Sequence, residues 1–266
     1  DINMLGAIVG DEAGSIYEFD QLKNVKAVKM KKLIEDNAFF SDDTILSIAI
    51  AEAILTKKDY GKNLKKYALA YQDYSPNFKP YFKTPFSPNF TKWAQGDFVG
   101  SSAGNGAMMR ISPIGFWFKN EKEIERQVRL ATSPSHNCTE SISCATTIAL
   151  IIYYSLKGLS KEEIKAKLNL KIIKPEIKTF NYTCHDTIDV CLYSFFNSKS
   201  FENSIALSLS FGGDTDTNAC IVGSMAEAYY GIDNELKNKA LSYLPSNFQK
   251  TVTDFYHELQ SRNQNI

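Results

Sequence analysis

Apolar positions recur at helical spacing along most of the chain. Residues 44–55 (TILSIAIAEAIL) are apolar nearly all round, which predicts a fully buried helix rather than one on the surface. Residues 122–131 alternate charged and apolar positions with a helical period, and residues 138–156 are rich in Ser, Ala, Thr and Ile, as close-packed interior helices are. Ser160-Lys161-Glu162-Glu163 reads as a capping box opening a short amphipathic helix to Leu168. Further helices are predicted over 186–196, 201–209, 217–230, 234–243 and 248–259. The exception is 74–104, which carries prolines at 76, 80, 85 and 88 and ends in Gly100-Ser101-Ser102-Ala103-Gly104. Proline lacks the helical donor and glycine permits unusual backbone angles, so this stretch reads as a long loop, and long loops in compact domains commonly carry function. At most a short strand or turn is expected around 25–30. The pattern predicts one all-α domain over residues 1–266.

Composition narrows the class. A length of 266 residues with 44% hydrophobic and 23% charged positions fits a globular domain that buries enough surface to fold without staples. Thirty basic and thirty acidic residues give a formal net charge of zero, so no broad basic surface for nucleic acid or anionic lipid is expected. Five cysteines at irregular spacing, with no CxxC, predict free thiols in a reducing compartment. No apolar run reaches membrane-spanning length, and the start lacks the marks of a signal peptide, so the expectation is a cytoplasmic protein with no membrane partner.

Two acidic segments carry the candidate chemistry. Ser41-Asp42-Asp43-Thr44 stands directly before the buried helix, and Gly212-Gly213-Asp214-Thr215-Asp216-Thr217 directly before another. Either alone reads as an N-cap, because these residues satisfy the first helical N–H groups and acids suit the helix dipole. The pairing of the acids, and the burial expected of both helices, favour carboxylates directed inward. Four interior carboxylates repel one another unless a cation neutralises them, and an all-oxygen donor set suits Mg²⁺, Mn²⁺ or Ca²⁺. Gly104-Asn105-Gly106, followed by Ala107-Met108-Met109-Arg110, permits close approach of backbone N–H groups to an anion. Arg110 could touch that anion or pair with a buried acid. Gly10-Asp11 with Gly14-Ser15-Ile16-Tyr17-Glu18, and Ser135-His136-Asn137-Cys138-Thr139-Glu140, are two further segments. A lone histidine in such a setting is more often a structural hydrogen-bonder than a base.

In their order these motifs resemble the ADP-ribosylglycohydrolases, with a match from about Leu5 to Tyr230. The resemblance implies a compact single-domain orthogonal helical bundle with a binuclear Mg²⁺ or Mn²⁺ centre. By similarity the metal ligands would be Ser41, Asp42, Asp43, Asp214, Asp216 and Thr217, with Ser41 where threonine is commoner. Ser102, Gly104, Asn105 and Gly106 match the loop that wraps the diphosphate, and Phe98 falls where the family places an aromatic against adenine. Glu18 resembles the mobile glutamate of the serine-type enzymes. His136 keeps the first histidine of a Thr-His-x-His-Pro-Glu pattern, which implies a substrate-binding place near the distal ribose or phosphate, and Cys138 stands at the second. The implied reaction is hydrolysis at the anomeric carbon of ADP-ribose on a modified protein or small molecule, through an oxocarbenium-like state, with Asp43, Asp214 or Glu18 moving the proton. The expected protein is a monomer requiring no nucleic acid. The alternatives are a catalytically silent ADP-ribose-binding or structural descendant of the same fold, and a phosphohydrolase using the same ions.

Overall fold

The computed structural model describes residues 4–76 and 84–265, so Pro80 of the proline-rich stretch lies outside the described residues. In chain order the helices are α1 Leu5–Ser15, α2 Glu18–Gln21, α3 Asp42–Thr56, α4 Tyr60–Ala70, α5 Pro88–Gln95, α6 Gly106–Met109, α7 Ser112–Trp117 and α8 Glu121–His136. They continue as α9 Thr139–Leu156, α10 Lys161–Leu168, α11 Cys184–Phe196, α12 Phe201–Ser210, α13 Thr215–Tyr230, α14 Asn234–Ser242 and α15 Ser246–Gln264. Among the described residues the only β pairing is two isolated bridges, Ser101 with His136 and Gly104 with Thr183. The fold is all-α, as the pattern predicts.

The centre of the molecule is a helix pair, α1 and α13, that packs backbone to backbone. A Cβ on Gly6 would stand 2.2 Å from the Gly223 carbonyl oxygen, on Gly10 2.0 Å from that of Ala219, and on Gly14 2.3 Å from that of Thr215. The partners run in opposite order, so the helices are antiparallel, and the four-residue glycine spacing lays one bare stripe along α1. The approach brings α1, which carries Asp11, against the N-terminal turn of α13, which carries Asp216. Packed around this pair, α3 is buried from Asp43 to Ala51, and α9 and α11 add Ile148, Ile151, Ile152, Val190 and Phe195 to the core.

The structure revises the sequence reading at three places. Residues 25–30 form no strand; the segment is irregular, with Val28 N–H donating to the Leu209 carbonyl at the end of α12. The expected long loop is interrupted by α5, which uses its proline: Pro88 sits in the first turn, where the missing N–H is not needed, and Ser87 Oγ caps the Phe90 N–H at 3.2 Å. Helix α8 runs on beyond the predicted end at 131, through Pro134 to His136, so the histidine ends a helix. The capping box at Ser160 and Glu163 is present as read.

Candidate active site

Each acidic segment opens a helix, and each departs from a simple cap. Ser41 is the N-cap of α3 and its Oγ accepts from Asp43 N–H at 3.3 Å. The same oxygen lies 2.7 Å from Asp11 Oδ1 and 2.8 Å from Asp43 Oδ2, so it also ties two carboxyls together. Asp214 holds the N-cap position of α13 but makes no capping bond with its side chain. Its Oδ2 accepts instead from Asn105 Nδ2 at 2.8 Å. The acid therefore links the first turn of α13, through Asp216 and Thr217, to the glycine-flanked asparagine.

The carboxyls converge. Asp11, Asp43 and Asp216 each offer a ligand oxygen within 4.8 Å of the others, and so do Glu18, Asp214 and Asp216, which makes Asp216 common to both groups. Asp11, Asp43 and Asp216 are buried and Asp214 nearly so, whereas Asp42 and Glu18 are half-buried at the mouth. Asp42 belongs to neither group but lies close enough that Asp43, Asp11 and Asp214, after burial, push its carboxyl up. Thr217 N–H donates to Asp216 Oδ1 at 2.9 Å, and the Thr217 hydroxyl reaches Asp214. Asp11 lies outside the sequence-derived ligand set, although Gly10-Asp11 is among the sequence motifs. Its position is fixed by Ser41 N–H at 2.8 Å and by Thr44 Oγ1 at 2.6 Å, so the acidic motif on α3 itself holds it.

Burial raises every one of these acids above its ordinary value, and for Glu18, Asp42, Asp43 and Asp216 neighbouring carboxylates add to it. Asp11 is pushed up to about 6 by burial against the pull of four hydrogen bonds. Burial, then Asp11 and Asp214, raise Asp43; burial, then Glu18 and Asp43, raise Asp216; burial, then Asp214, raises Glu18. None of them is ion-paired with a lysine or arginine among the described residues. Asp43 Oδ1 is buried with no hydrogen-bond partner. An unpartnered carboxylate oxygen in an all-oxygen set without a cationic side chain is what a hard divalent cation satisfies, so the residues present fit such a group.

The neighbouring loop is braced from several sides. Ser102 is exposed, and its Oγ accepts from Gly104 N–H at 3.0 Å. Asn105 N–H donates to the Tyr182 carbonyl at 2.8 Å, and Cys184 N–H to that of Ala103 at 2.8 Å. Asn181, which no sequence pattern marks, accepts from Asp214 N–H through Oδ1 at 2.8 Å and donates to Asn218 Oδ1 at 2.8 Å. Its Oδ1 would lie 2.3 Å from a Cβ on Gly213, whose φ of 76° favours glycine. Gln21, equally unmarked, accepts from Gly213 N–H at 3.0 Å. Together with Asn105 these amides hold the second acidic motif, and isolated amides in irregular segments leave no periodic trace.

The remaining candidates divide. His136 is buried with Nδ1 2.6 Å from Ser135 Oγ and Nε2 turned toward Gly104 and Gly106. Cys138 lies 3.3 Å from the Ser102 carbonyl, bracing the same loop. Arg110 pairs with no acid among the described residues; its Nη2 donates to the Ala131 carbonyl at 3.0 Å and to Ser135 Oγ at 2.7 Å. Phe98 lines a different cleft from the one that holds Glu18 and Asp42. It is 48% exposed over Gly96, beside a separate cleft of about 630 Å³ lined by Lys62, Lys65, Trp93 and Pro134. At the carboxyl mouth, Glu18 and Asp42 share an open cleft of about 430 Å³ with Phe19, Phe39, Phe40 and Tyr74. All five cysteines are free. No helix among the described residues is long and apolar enough to cross a membrane.

An all-helical scaffold that gathers this many carboxyls beside a glycine-flanked asparagine has the make-up of a helical hydrolase with an acidic centre. The chain belongs to the ADP-ribosylglycohydrolase family, a family of enzymes, whose family model matches residues 3–265. An ADP-ribosylarginine hydrolase Tri1 from Pseudomonas putida is 23% identical over 86% of this chain and 70% of its own length. An ADP-ribosylhydrolase ARH3 from Danio rerio is 24% identical over 87% of this chain and 82% of its own, and the Homo sapiens ARH3 is 22% identical over 86% and 85%. A solved chain of an "ADP-ribosylglycohydrolase-related protein complex" shares the fold with a TM-score of 0.71 at 20% identity, over 96% of this chain and 95% of that one.

Proposed function

We propose that this protein hydrolyses the bond between the anomeric carbon of ADP-ribose and a modified acceptor, releasing ADP-ribose, with two Mg²⁺ or Mn²⁺ ions held at the carboxyl cluster. The observation that carries this reading is the pair of carboxyl groups that share Asp216. Asp11, Asp43 and Asp216 would hold one ion, Glu18, Asp214 and Asp216 the other, with Ser41, Asp42 and Thr217 completing the oxygen sets. Such ions, when bound, supply Lewis acidity and a lowered pKa for water at the reacting carbon.

The chain's own groups account for the rest. Residues 104–106, braced by Ser102, receive the diphosphate, and that distant binding orients the reacting carbon over the acids. Asn105 holds Asp214 by one amide hydrogen bond, fixing which carboxylate oxygen faces the reacting centre. Glu18 is half-buried at the mouth and has its carboxyl raised by burial and by Asp214, so it suits the group that delivers a proton to the leaving acceptor. Asp43, deeper in the site, suits the group that takes one from water. A relative named as an ADP-ribosylarginine hydrolase supports an arginine acceptor, the likeness of the Glu18 segment to the serine-type enzymes supports serine, and the aromatic cleft beside Glu18 is where the acceptor would lie. Five unpaired cysteines fit a monomer working in a reducing compartment such as the cytoplasm.

The test uses matched peptides ADP-ribosylated on arginine or on serine, incubated with the protein and Mg²⁺ or Mn²⁺, with free ADP-ribose followed by mass spectrometry. Release from one peptide, abolished by EDTA and by Asp214→Ala, is the expected result and identifies the bond. Absence of release from both, with no ADP-ribose binding, would overturn the reading.

A further inference from the structure

Arg110 is fully buried, and its Nε and Nη1 atoms make no hydrogen bond among the described residues. Burying a guanidinium without a counter-ion is costly, so its surroundings are informative. Its Nη2 donates to Ser135 Oγ at 2.7 Å, and Ser135 Oγ lies 2.6 Å from His136 Nδ1. Counting protons fixes the direction of this chain of bonds. A guanidinium only donates, so Ser135 accepts from it. The serine hydroxyl has one proton of its own, and His136 Nδ1 is the acceptor within its reach among the described residues. A neutral imidazole that accepts at Nδ1 carries its proton on Nε2. Burial, and then the Arg110 charge, hold the His136 pKa well below its usual range, so the ring is neutral at pH 7. Its Nε2 is 3.5 Å from where a Cβ on Gly106 would stand, and 3.7 Å from one on Gly104.

We propose that Arg110 and Ser135 are positioning residues whose hydrogen-bond relay holds His136 as the Nε2–H tautomer, aimed at residues 104–106, where it donates to the diphosphate of ADP-ribose. The inference rests on the proposed reading of that loop as the diphosphate site. Neither Arg110 nor Ser135 needs to touch the substrate. The arginine orients the serine and brings a positive charge to the anion's side of the loop, and the serine selects the histidine nitrogen that donates.

Two readouts test the relay separately from the loop. The chain has three histidines, His136, His185 and His257, so ¹⁵N-histidine labelling gives a spectrum that one substitution, His136→Asn, assigns. Wild type and Ser135→Thr, which keeps the hydroxyl, are expected to show His136 neutral with its proton on Nε2. Ser135→Ala is expected to lose that single tautomer, with thermal melting checking that it folds. Calorimetry with ADP-ribose is expected to show about a tenfold weaker Kd for Ser135→Ala and recovery in Ser135→Thr, the size of one hydrogen bond to a charged group. A wild-type ring protonated on Nδ1, or an unchanged tautomer in Ser135→Ala, overturns the relay. A changed tautomer with an unchanged Kd overturns the donation to diphosphate. A wild type that binds no ADP-ribose overturns the loop reading and the donor role with it, while the tautomer spectrum still judges the relay.

Discussion

Two regions of this molecule bury charge in opposite ways, and the loop at 104–106 touches both. In one, Asp11, Glu12, Glu18, Asp42, Asp43, Asp214 and Asp216 crowd together without a basic partner among the described residues. In the other, Arg110 is buried without an acidic partner among the described residues. Asn105 reaches the first through Asp214, while Gly104 and Gly106 face the second through His136. Left to themselves, the two excesses would be expected to pair across the interior. The fold keeps them apart, which costs stability in each region. The proposed function would give each a ligand of opposite sign: divalent cations for the carboxyls, a diphosphate for the side of the loop that His136 and Arg110 face. An ADP-ribosyl substrate over a metal centre would supply both at once.

The largest expected effect falls on the carboxyl common to both acidic groups. Asp216→Asn should lower hydrolysis at least about a hundredfold, since disturbing the surroundings of a metal ligand alone costs that order. It should also raise the melting temperature of the metal-free protein, because it removes one buried charge from a crowd of like charges. A merely structural Asp216 would show lost stability in place of the gain, and calorimetric melting in EDTA distinguishes the two. If activity and metal affinity survive the substitution, the acidic region is not the metal centre.

Next comes the packing that brings the acids together. A Cβ at Gly10 would stand 2.0 Å from the Ala219 carbonyl oxygen, and backbone cannot give way as a flexible side chain can. Gly10→Ala is therefore expected to destabilise by about 3 kcal/mol, the upper part of the usual overpacking range. Because it pushes α1 from α13, it should weaken divalent-cation affinity along with stability. Gly158→Ala, where no atom lies within 4 Å of the added Cβ, is the matched control and should change cation affinity little despite its own positive φ of 82°. Urea melts with and without Mg²⁺ measure both.

How much of this the sequence reveals follows the same division. The acidic region announces itself, because Ser41-Asp42-Asp43 and Asp214-Thr215-Asp216 are contiguous motifs at the mouths of helices whose apolar pattern requires burial. Most helices over residues 122–259 are legible for the same reason: their periodicity is local. Helices α1, α5 and α6 are not, since glycine, proline and very short length each erase the period. Asp11 escapes the ligand set because its placement depends on Thr44, thirty-three positions away. The basic region is wholly a product of folding. Arg110, Ser135 and His136 come from two helix ends, and nothing in the local spelling of Gly104 to Arg110 tells an anion contact from a buried structural arginine. Asn181 and Gln21 are invisible for a plainer reason, each being a single amide in an irregular or very short element.

The smallest effect, and the one that separates the two regions most cleanly, is the pH dependence of stability without metal. Folded acids with raised pKa values hold protons that the unfolded chain has already released. Their contribution is fully present below the ordinary aspartate value of 3.8 and is lost as pH rises through the folded value, about 6 for Asp11 and raised for its neighbours. The metal-free protein should therefore melt lower at pH 8 than at pH 5. A cation competes with those protons, so the gain in melting temperature on adding Mg²⁺ should grow from pH 5 to pH 8, by on the order of 5 °C. The basic region predicts a smaller change. Arg110 stays charged at pH 8, its pKa lowered to about 10 by burial, and burial and then the Arg110 charge hold the His136 pKa well below its usual range, so the stabilisation by ADP-ribose in EDTA should change less over the same range than the Mg²⁺ increment does. A Mg²⁺ increment that does not change with pH would show that the carboxyls keep no protons for the metal to displace. The acidic crowding would then be relieved by some pairing other than a cation.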